Sequence, residues 1–202
     1  MNIRTYPLGQ LQTNCHLVWA EGSKSCAVID PGYHADRILE ITRELGLGID
    51  AILLTHGHFD HVGAVEELVE KTGCKLWMHE SDWSKTNSPM NNFLFPIANC
   101  DFCEVRFCED FEEITAGGLT FTVRHTPGHS SGSVCFFCGD ALFSGDTLFA
   151  GGCGRTDLGG DWNTIVQSLQ MLRDLPGDYR VLPVHGSATT LERERKNNPY
   201  MR

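Results

Sequence analysis

Ala51-Ile52-Leu53-Leu54-Thr55-His56-Gly57-His58-Phe59-Asp60-His61-Val62 is the stretch on which the reading of this chain turns. Its first four residues are a short apolar run of the kind that forms a buried strand, and Val62, Val65, Leu68 and Val69 recur at helical spacing just beyond it. Three imidazoles and a carboxylate stand between that strand and that helix. On a regular strand His56 and His58 share a face, and the turn into the helix swings Asp60 and His61 toward a second point nearby. Such a geometry suits two metal ions rather than one. Imidazole and carboxylate donors suit zinc, iron or manganese, and catalytic sites keep one position open for water.

Two ions need more donors than this loop holds, so further ligands are expected where other strands end. Downstream, strand signals run from Leu119 to His125, Ser133 to Cys138, Ala141 to Ser144 and Arg180 to Val184. His129 follows the first of these, Asp146 the third and His185 the fourth. Active residues of layered α/β proteins collect at strand ends, which makes these three candidates for the same site. Upstream, short strands are expected over Asn2–Tyr6, His16–Ala20 and Cys26–Asp30. A helix carrying Ala35, Ile38, Ile41 and Leu45 follows, stopped by Gly46 and Gly48. Lys75 to Met78 reads as another strand. Asp161 caps a helix expected to bury Trp162, Ile165, Val166, Leu169 and Leu172, and a charged helix spans Leu191 to Lys196.

Size and charge narrow the function. The 202 residues suit a single domain, 1–202, with an irregular excursion over about 80–111. Sixteen basic against 26 acidic residues give a formal charge of −10, which repels polyanions and argues against nucleic acid and anionic membranes as partners. The opening MNIRTYPLGQ lacks the apolar core of a signal peptide, and no apolar run approaches a membrane span. A cytoplasmic protein acting on a small molecule is expected. Nine cysteines, an odd number without a secretion signal, are expected as reduced thiols.

The H-x-H-x-D-H loop, followed in order by His129, Asp146 and His185, resembles the metallo-β-lactamase superfamily over nearly the whole chain. The resemblance implies a four-layer αββα sandwich of the α/β (α+β) class. It implies that His56, His58 and His129 hold one divalent ion, that Asp60, His61 and His185 hold the other, and that Asp146 bridges them. Zinc is the first expectation for both ions, with iron or manganese as alternatives. Within the superfamily the chain is most similar to short single-domain glyoxalase II proteins, the hydroxyacylglutathione hydrolases. That likeness implies hydrolysis of a thioester such as S-2-hydroxyacylglutathione, with a hydroxide held between the ions attacking the carbonyl and with Asp60 and Asp146 as catalytic carboxylates. Gly152-Cys153-Gly154-Arg155 resembles a glutathione-contacting loop of that family, which makes Arg155 a candidate substrate ligand, with Arg193 and Arg195 as helpers. Gly154-Arg155-Thr156-Asp157 is also similar to a loop of the persulfide dioxygenases of this fold. Those use one iron on the equivalents of His56, His129 and Asp146, and another small ester or thioester is a further alternative.

His16, His34, His79 and His125 match no ligand position and read as structural or surface residues. Cys135 and Cys138 lie three apart on a strand, so they point to opposite faces and read as core. Cys100, Cys103 and Cys108 fall in the excursion at a spacing unlike that of a zinc ribbon.

Overall fold

The computed structural model describes residues 1–83, 89–98 and 101–202. Its first half is a six-stranded sheet. β1 (Asn2–Leu8), β2 (Thr13–Trp19) and β3 (Ser25–Ile29) form an antiparallel meander. α1 (Ala35–Glu44) then crosses to β4 (Gly48–Leu53), parallel to β3. α2 (Phe59–Val62) and α3 (Val65–Thr72) cross to β5 (Lys75–Met78), parallel to β4. Two short helices, α4 (Glu80–Trp83) and α5 (Pro89–Leu94), precede β6 (Val105–Phe107), which adds to β5 at the sheet edge.

The second half repeats the plan with a different order. β7 (Glu113–Ala116), β8 (Leu119–His125), β9 (Val134–Cys138) and β10 (Ala141–Gly145) form an antiparallel meander. A small ribbon of β11 (Leu148–Phe149) and β12 (Gly152–Cys153) follows, then α6 (Trp162–Arg173). β13 (Arg180–Pro183) pairs parallel with β10, and β14 (Thr189–Thr190) closes that edge before α7 (Leu191–Asn197). The sheet orders are β1-β2-β3-β4-β5-β6 and β14-β13-β10-β9-β8-β7.

Side-chain alternation along the strands builds the layers. Ala27, Ile29, Ala51 and Leu53 from the first sheet meet Phe121, Val123, Phe136 and Phe143 from the second in one shared core. Their sequence neighbours Cys26, Val28, Ile52 and Leu54 point the other way and pack under Ile38, Ile41, Val65 and Leu68 of the α1 and α3 helices. On the far side Cys135, Leu142 and Val181 pack under Leu169 and Leu172 of α6. A strand buried on both faces favours apolar residues at successive positions, as in the run 51–54, which carries no polar residue. Each fully buried phenylalanine of the middle layer contributes roughly 1.5–3 kcal/mol. The result is the αββα sandwich that the family resemblance implied.

Four readings of the sequence change. The stretch 80–111 is more regular than expected: its described residues include α4, α5 and β6. Three residues, Val105, Arg106 and Phe107, are too few for periodicity to register, so β6 is legible only through its pairing with β5. The single helix expected from Val62 is broken at Gly63 and Ala64. A side chain at Gly63 would meet the Gly32 carbonyl oxygen at 2.3 Å, so the close approach of the Asp30-Pro31-Gly32 turn sets the break. Trp162 is 47% exposed rather than core, because it heads α6 before the helix settles on the sheet. A strand, β7, appears where none was expected.

Cys135 and Cys138 face different cores, as their spacing required. Cys103 packs on the helix side of the first sheet and Cys108 between the sheets, while Cys100 lies outside the described residues. Among the described residues no helix is long and apolar enough to cross a membrane.

Candidate metal centre

The donors sit where strands end. His56, His58, Asp60 and His61 follow β4, His129 follows β8, Asp146 directly follows β10, and His185 lies two residues beyond β13. Strands β4, β8, β10 and β13 come from both sheets, so the cluster forms only where strand ends of the two face-packed sheets lie together at one rim of the sandwich.

Three imidazole nitrogens form a tight triangle. His56 Nε2 lies 3.0 Å from His58 Nδ1, His58 Nδ1 2.9 Å from His129 Nε2, and His129 Nε2 3.1 Å from His56 Nε2. Their tautomers follow from the opposite ring atoms. The Nδ1 of His129 lies 2.7 Å from the Arg155 carbonyl oxygen, which can only accept, so Nδ1 carries the proton. Thr55 Oγ1 donates to Asp30 at 2.7 Å and therefore accepts from His56 Nδ1 at 3.3 Å. Both Nε2 atoms are then lone pairs, facing each other 3.1 Å apart with no proton to share. Burial, then the charges of His61, His58 and His129, hold the His56 pKa well below its ordinary value. Burial first, then the charges of His129 and His61, bring His58 down to about 3. A cation between them removes this conflict. Nitrogens about 2.0–2.1 Å from a tetrahedral ion stand roughly 3.3 Å apart, close to the spacing seen.

A second group completes the centre. Asp60 Oδ2 lies 3.2 Å from His185 Nε2 and 3.7 Å from His61 Nε2. Asp146 reaches both groups: its Oδ2 lies 3.5 Å from His129 Nε2 and 3.8 Å from His185 Nε2, and its Oδ1 lies 3.7 Å from His61 Nε2. Three sets of donor atoms therefore lie within metal-sharing distance: His56, His58 and His129; His56, His61 and Asp146; and Asp60, His61 and His185. His61 Nε2 and Asp146 Oδ1 are buried with no hydrogen-bond partner among the described residues, a costly state that a bound cation relieves. Burial opposes protonation of His61, yet the charge of Asp30, its hydrogen bond and the charge of Asp146 outweigh it and raise the pKa to about 9. Burial raises Asp60, but the hydrogen bond from His185 and the charge of His61 overcome it and bring the carboxyl to about 2.

Two buried aspartates that the motif reading did not single out support this centre. Asp30, at the end of β3, accepts from Thr55 N at 2.8 Å and faces His61 Nδ1 at 3.3 Å, turning the other ring nitrogen toward Asp60 and Asp146. Its backbone is left-handed, φ 51°, which aspartate tolerates better than most residues. Asp82, fully buried in α4, accepts from Gly57 N at 3.0 Å, Ser130 Oγ at 2.7 Å and Gly132 N at 2.8 Å. It thereby ties the loop of His56 and His58 to the loop of His129. A carboxylate next to an apolar strand end was the available signal for Asp30; for Asp82, nothing in the spacing marks it.

A cleft of about 430 Å³ opens over the cluster, walled by Leu11, Phe59, Phe149, Cys153, Arg155 and Leu158 besides the donors. Arg155 is therefore at the site, though its guanidinium is clasped by Asp157 at 2.6 and 2.5 Å. Arg193 and Arg195 are not in that wall, against the expectation that they help there. Arg195 donates instead to the carbonyls of Arg173, Leu175 and Gly177, fastening α7 to the end of α6.

Fold and site together define a metallo-hydrolase, and residues 8–185 match the family model of the metallo-beta-lactamase superfamily, to which the chain belongs. Over 209 residues it is 38% identical to hydroxyacylglutathione hydrolase GloC of Haemophilus influenzae, covering 100% of this chain and 98% of that one. Among solved structures it is similar to the BLEG-1 B3 metallo-beta-lactamase, with a TM-score of 0.86, 32% identity and 99% of each chain covered. ETHE1 from Myxococcus xanthus superposes with a TM-score of 0.81 at 30% identity, covering 98% of this chain and 84% of that one. TTHA1623, solved in a di-iron-bound form, gives 0.79 at 38% identity over 99% and 100%. The cluster of histidines and aspartates is consistent with a dinuclear site in this fold.

Proposed function

We propose that the chain is a thioester hydrolase of the hydroxyacylglutathione hydrolase type, working in the cytoplasm on a small molecule with two divalent ions, zinc first. His56, His58 and His129 would hold one ion, Asp60, His61 and His185 the other, and Asp146 would touch both. Bound ions of this kind lower the pKa of water toward about 7 and polarise a carbonyl oxygen. The observation that carries the reading is the pair of lone pairs on His56 and His129, 3.1 Å apart, next to a second complete donor set.

The chain's own residues then have separable tasks. Asp60, held ionised, accepts a hydrogen bond from the attacking water and aims it. Thr55, Asp30 and the Arg155 carbonyl keep the ring protons on the outer nitrogens, so the inner ones stay free to ligate. Phe59, Phe149 and Leu158 crowd bulk water away from the thioester. Arg155 is the arginine among the described residues that wall the cleft, and its guanidinium, already paired with Asp157, would meet the carboxylates of a glutathione carrier. The name of the Haemophilus relative supports that carrier.

A competing reading, oxygenation of a persulfide at a single iron, draws support from the Gly154–Asp157 loop and the likeness to ETHE1. It uses His56, His129 and Asp146 and leaves Asp60, His61 and His185 without a task. Metal analysis together with assays on S-lactoylglutathione and glutathione persulfide separates the two. Two ions per chain and thioester turnover that persists without dioxygen are expected. Rapid oxygen consumption with the persulfide and no thioesterase activity would reverse the assignment.

A further inference from the structure

Leu11 and Phe59 wall both the cleft over the donors and, beside it, a larger groove of about 810 Å³. The groove runs along the turn between β1 and β2 and is lined by Pro7, Leu8, Leu11, Tyr33 and Phe59, with backbone and the amides of Gln10 and Gln12 between them. Among the described residues, the His34 imidazole and the Tyr33 phenol are the ionisable groups that line it. Its floor is built rather than incidental. A side chain at Gly9 would strike the Tyr33 ring at 2.2 Å, so the ring lies flat on the turn, and Gln12 closes the turn with two hydrogen bonds to the Gly9 carbonyl, at 2.8 Å from Nε2 and 3.3 Å from N. On the other side Phe59 meets the ring of Phe93, 62% exposed, at 5.1 Å.

An exposed apolar groove that shares two wall residues with a reaction cleft suits an apolar part of the substrate. Resting on the thioester reading above, we propose that the groove receives the acyl arm of the substrate, and that this arm is an uncharged hydrocarbon chain or ring larger than lactoyl. The two arms of a thioester leave the reacting carbonyl in different directions. Arg155, on the loop beyond β12, faces a charged thiol carrier, which leaves the groove at the β1–β2 turn to the acyl arm. Among the described residues the groove's lining holds no carboxylate, lysine or arginine, so a charged arm would trade its hydration for the His34 imidazole, the Tyr33 phenol and neutral amides, with no full opposite charge to meet it.

The test uses the metal-loaded protein and two measurements. Calorimetry compares binding of hexanoate with acetate, the acyl products of such substrates. kcat/KM is measured for S-acetyl-, S-butanoyl- and S-hexanoylglutathione, and for ethyl and hexyl thioacetate, which carry the chain on the sulfur instead. Each methylene settled in the groove should improve binding about two- to fourfold, so hexanoate should bind at least tenfold more tightly than acetate. kcat/KM should climb with acyl length and not with thiol length. Leu11→Asp, at a half-exposed position that tolerates the change, and Tyr33→Ala should each flatten the acyl-length dependence. Equal binding of hexanoate and acetate within twofold would overturn the inference. So would a length dependence that appears only on the sulfur side or survives both variants. Should hexanoate show its advantage while no thioester is hydrolysed, the thioester reading falls and the groove stands.

Discussion

Changing Asp82 to asparagine perturbs the centre without touching a donor. The carboxylate accepts from Gly57 N and Ser130 Oγ through one oxygen and from Gly132 N through the other. Asparagine is nearly isosteric but offers one acceptor and one amide. Turned to keep Gly57 and Ser130, it sets its NH₂ against the Gly132 N–H, leaving a buried donor unsatisfied at about 1–3 kcal/mol. Loss of charge on the remaining two bonds brings the total to about 2–4 kcal/mol, and for a chain of this length roughly 2–4 °C of melting temperature accompanies each kcal/mol. Relaxation of the two histidine loops should weaken the His56, His58 and His129 set more than the set built on Asp60, because Asp82 bonds to residues flanking those three. Supporting partners of this kind typically alter metal affinity about 10–100-fold. The assay is stepwise zinc titration of the metal-free protein against a chromophoric chelator, alongside calorimetric unfolding. A lower melting temperature with both zinc affinities within twofold of the parent would refute the positioning role and leave Asp82 a structural residue. An unchanged melting temperature would refute the hydrogen-bond reasoning itself.

Three further outcomes are expected. Asp146→Ala should abolish turnover and lower bound metal, since this carboxylate reaches both donor sets; near-normal metal content and rate, by elemental analysis and steady-state assay, would count against it. Arg155→Ala should raise KM for a glutathione thioester severalfold while changing kcat about twofold or less, and should leave a small uncharged thioester unaffected; equal losses on both would mean that Arg155 and Asp157 shape the loop instead. His16, buried beneath Phe143, has its pKa lowered to about 4 by burial. The unfolded chain takes up that proton first, near pH 6.5, so this contribution to stability is complete above 6.5 and is lost as pH falls toward 4. The loss is on the order of 3 kcal/mol, and denaturant titrations at several pH values should show a shallower acid slope in His16→Gln.

Much of the site was legible in the chain. An apolar run followed by H-x-H-x-D-H dictates a strand that delivers donors at its end, because four residues buried on both faces have nowhere to go but a sheet interior, and the polar residues after them must leave it. The same logic located His129, Asp146 and His185, each just past a strand. Local patterning also set the facing of Cys135 against Cys138, since side-chain alternation along a strand is a property of the backbone alone. What tertiary structure decided depends on which surfaces meet. Trp162 reads as core from its spacing, yet exposure is settled by where α6 first touches the sheet. Arg193 and Arg195 look available for an anionic substrate, but α7 packs so that Arg195 finds the carbonyl of Arg173 at the end of α6 and those of Leu175 and Gly177 just beyond it. Asp82 stands far from the histidines in sequence, and only the pairing of β5 with β4 brings α4 under Gly57 and Gly132. The groove beside the centre belongs to the same category: Leu11, Tyr33 and Phe59 are unremarkable apolar residues until the β1–β2 turn and the Asp30-Pro31-Gly32 turn are packed against one loop. Strand ends are written locally, whereas the walls around them are made by contacts between segments, whose free energies no single segment carries.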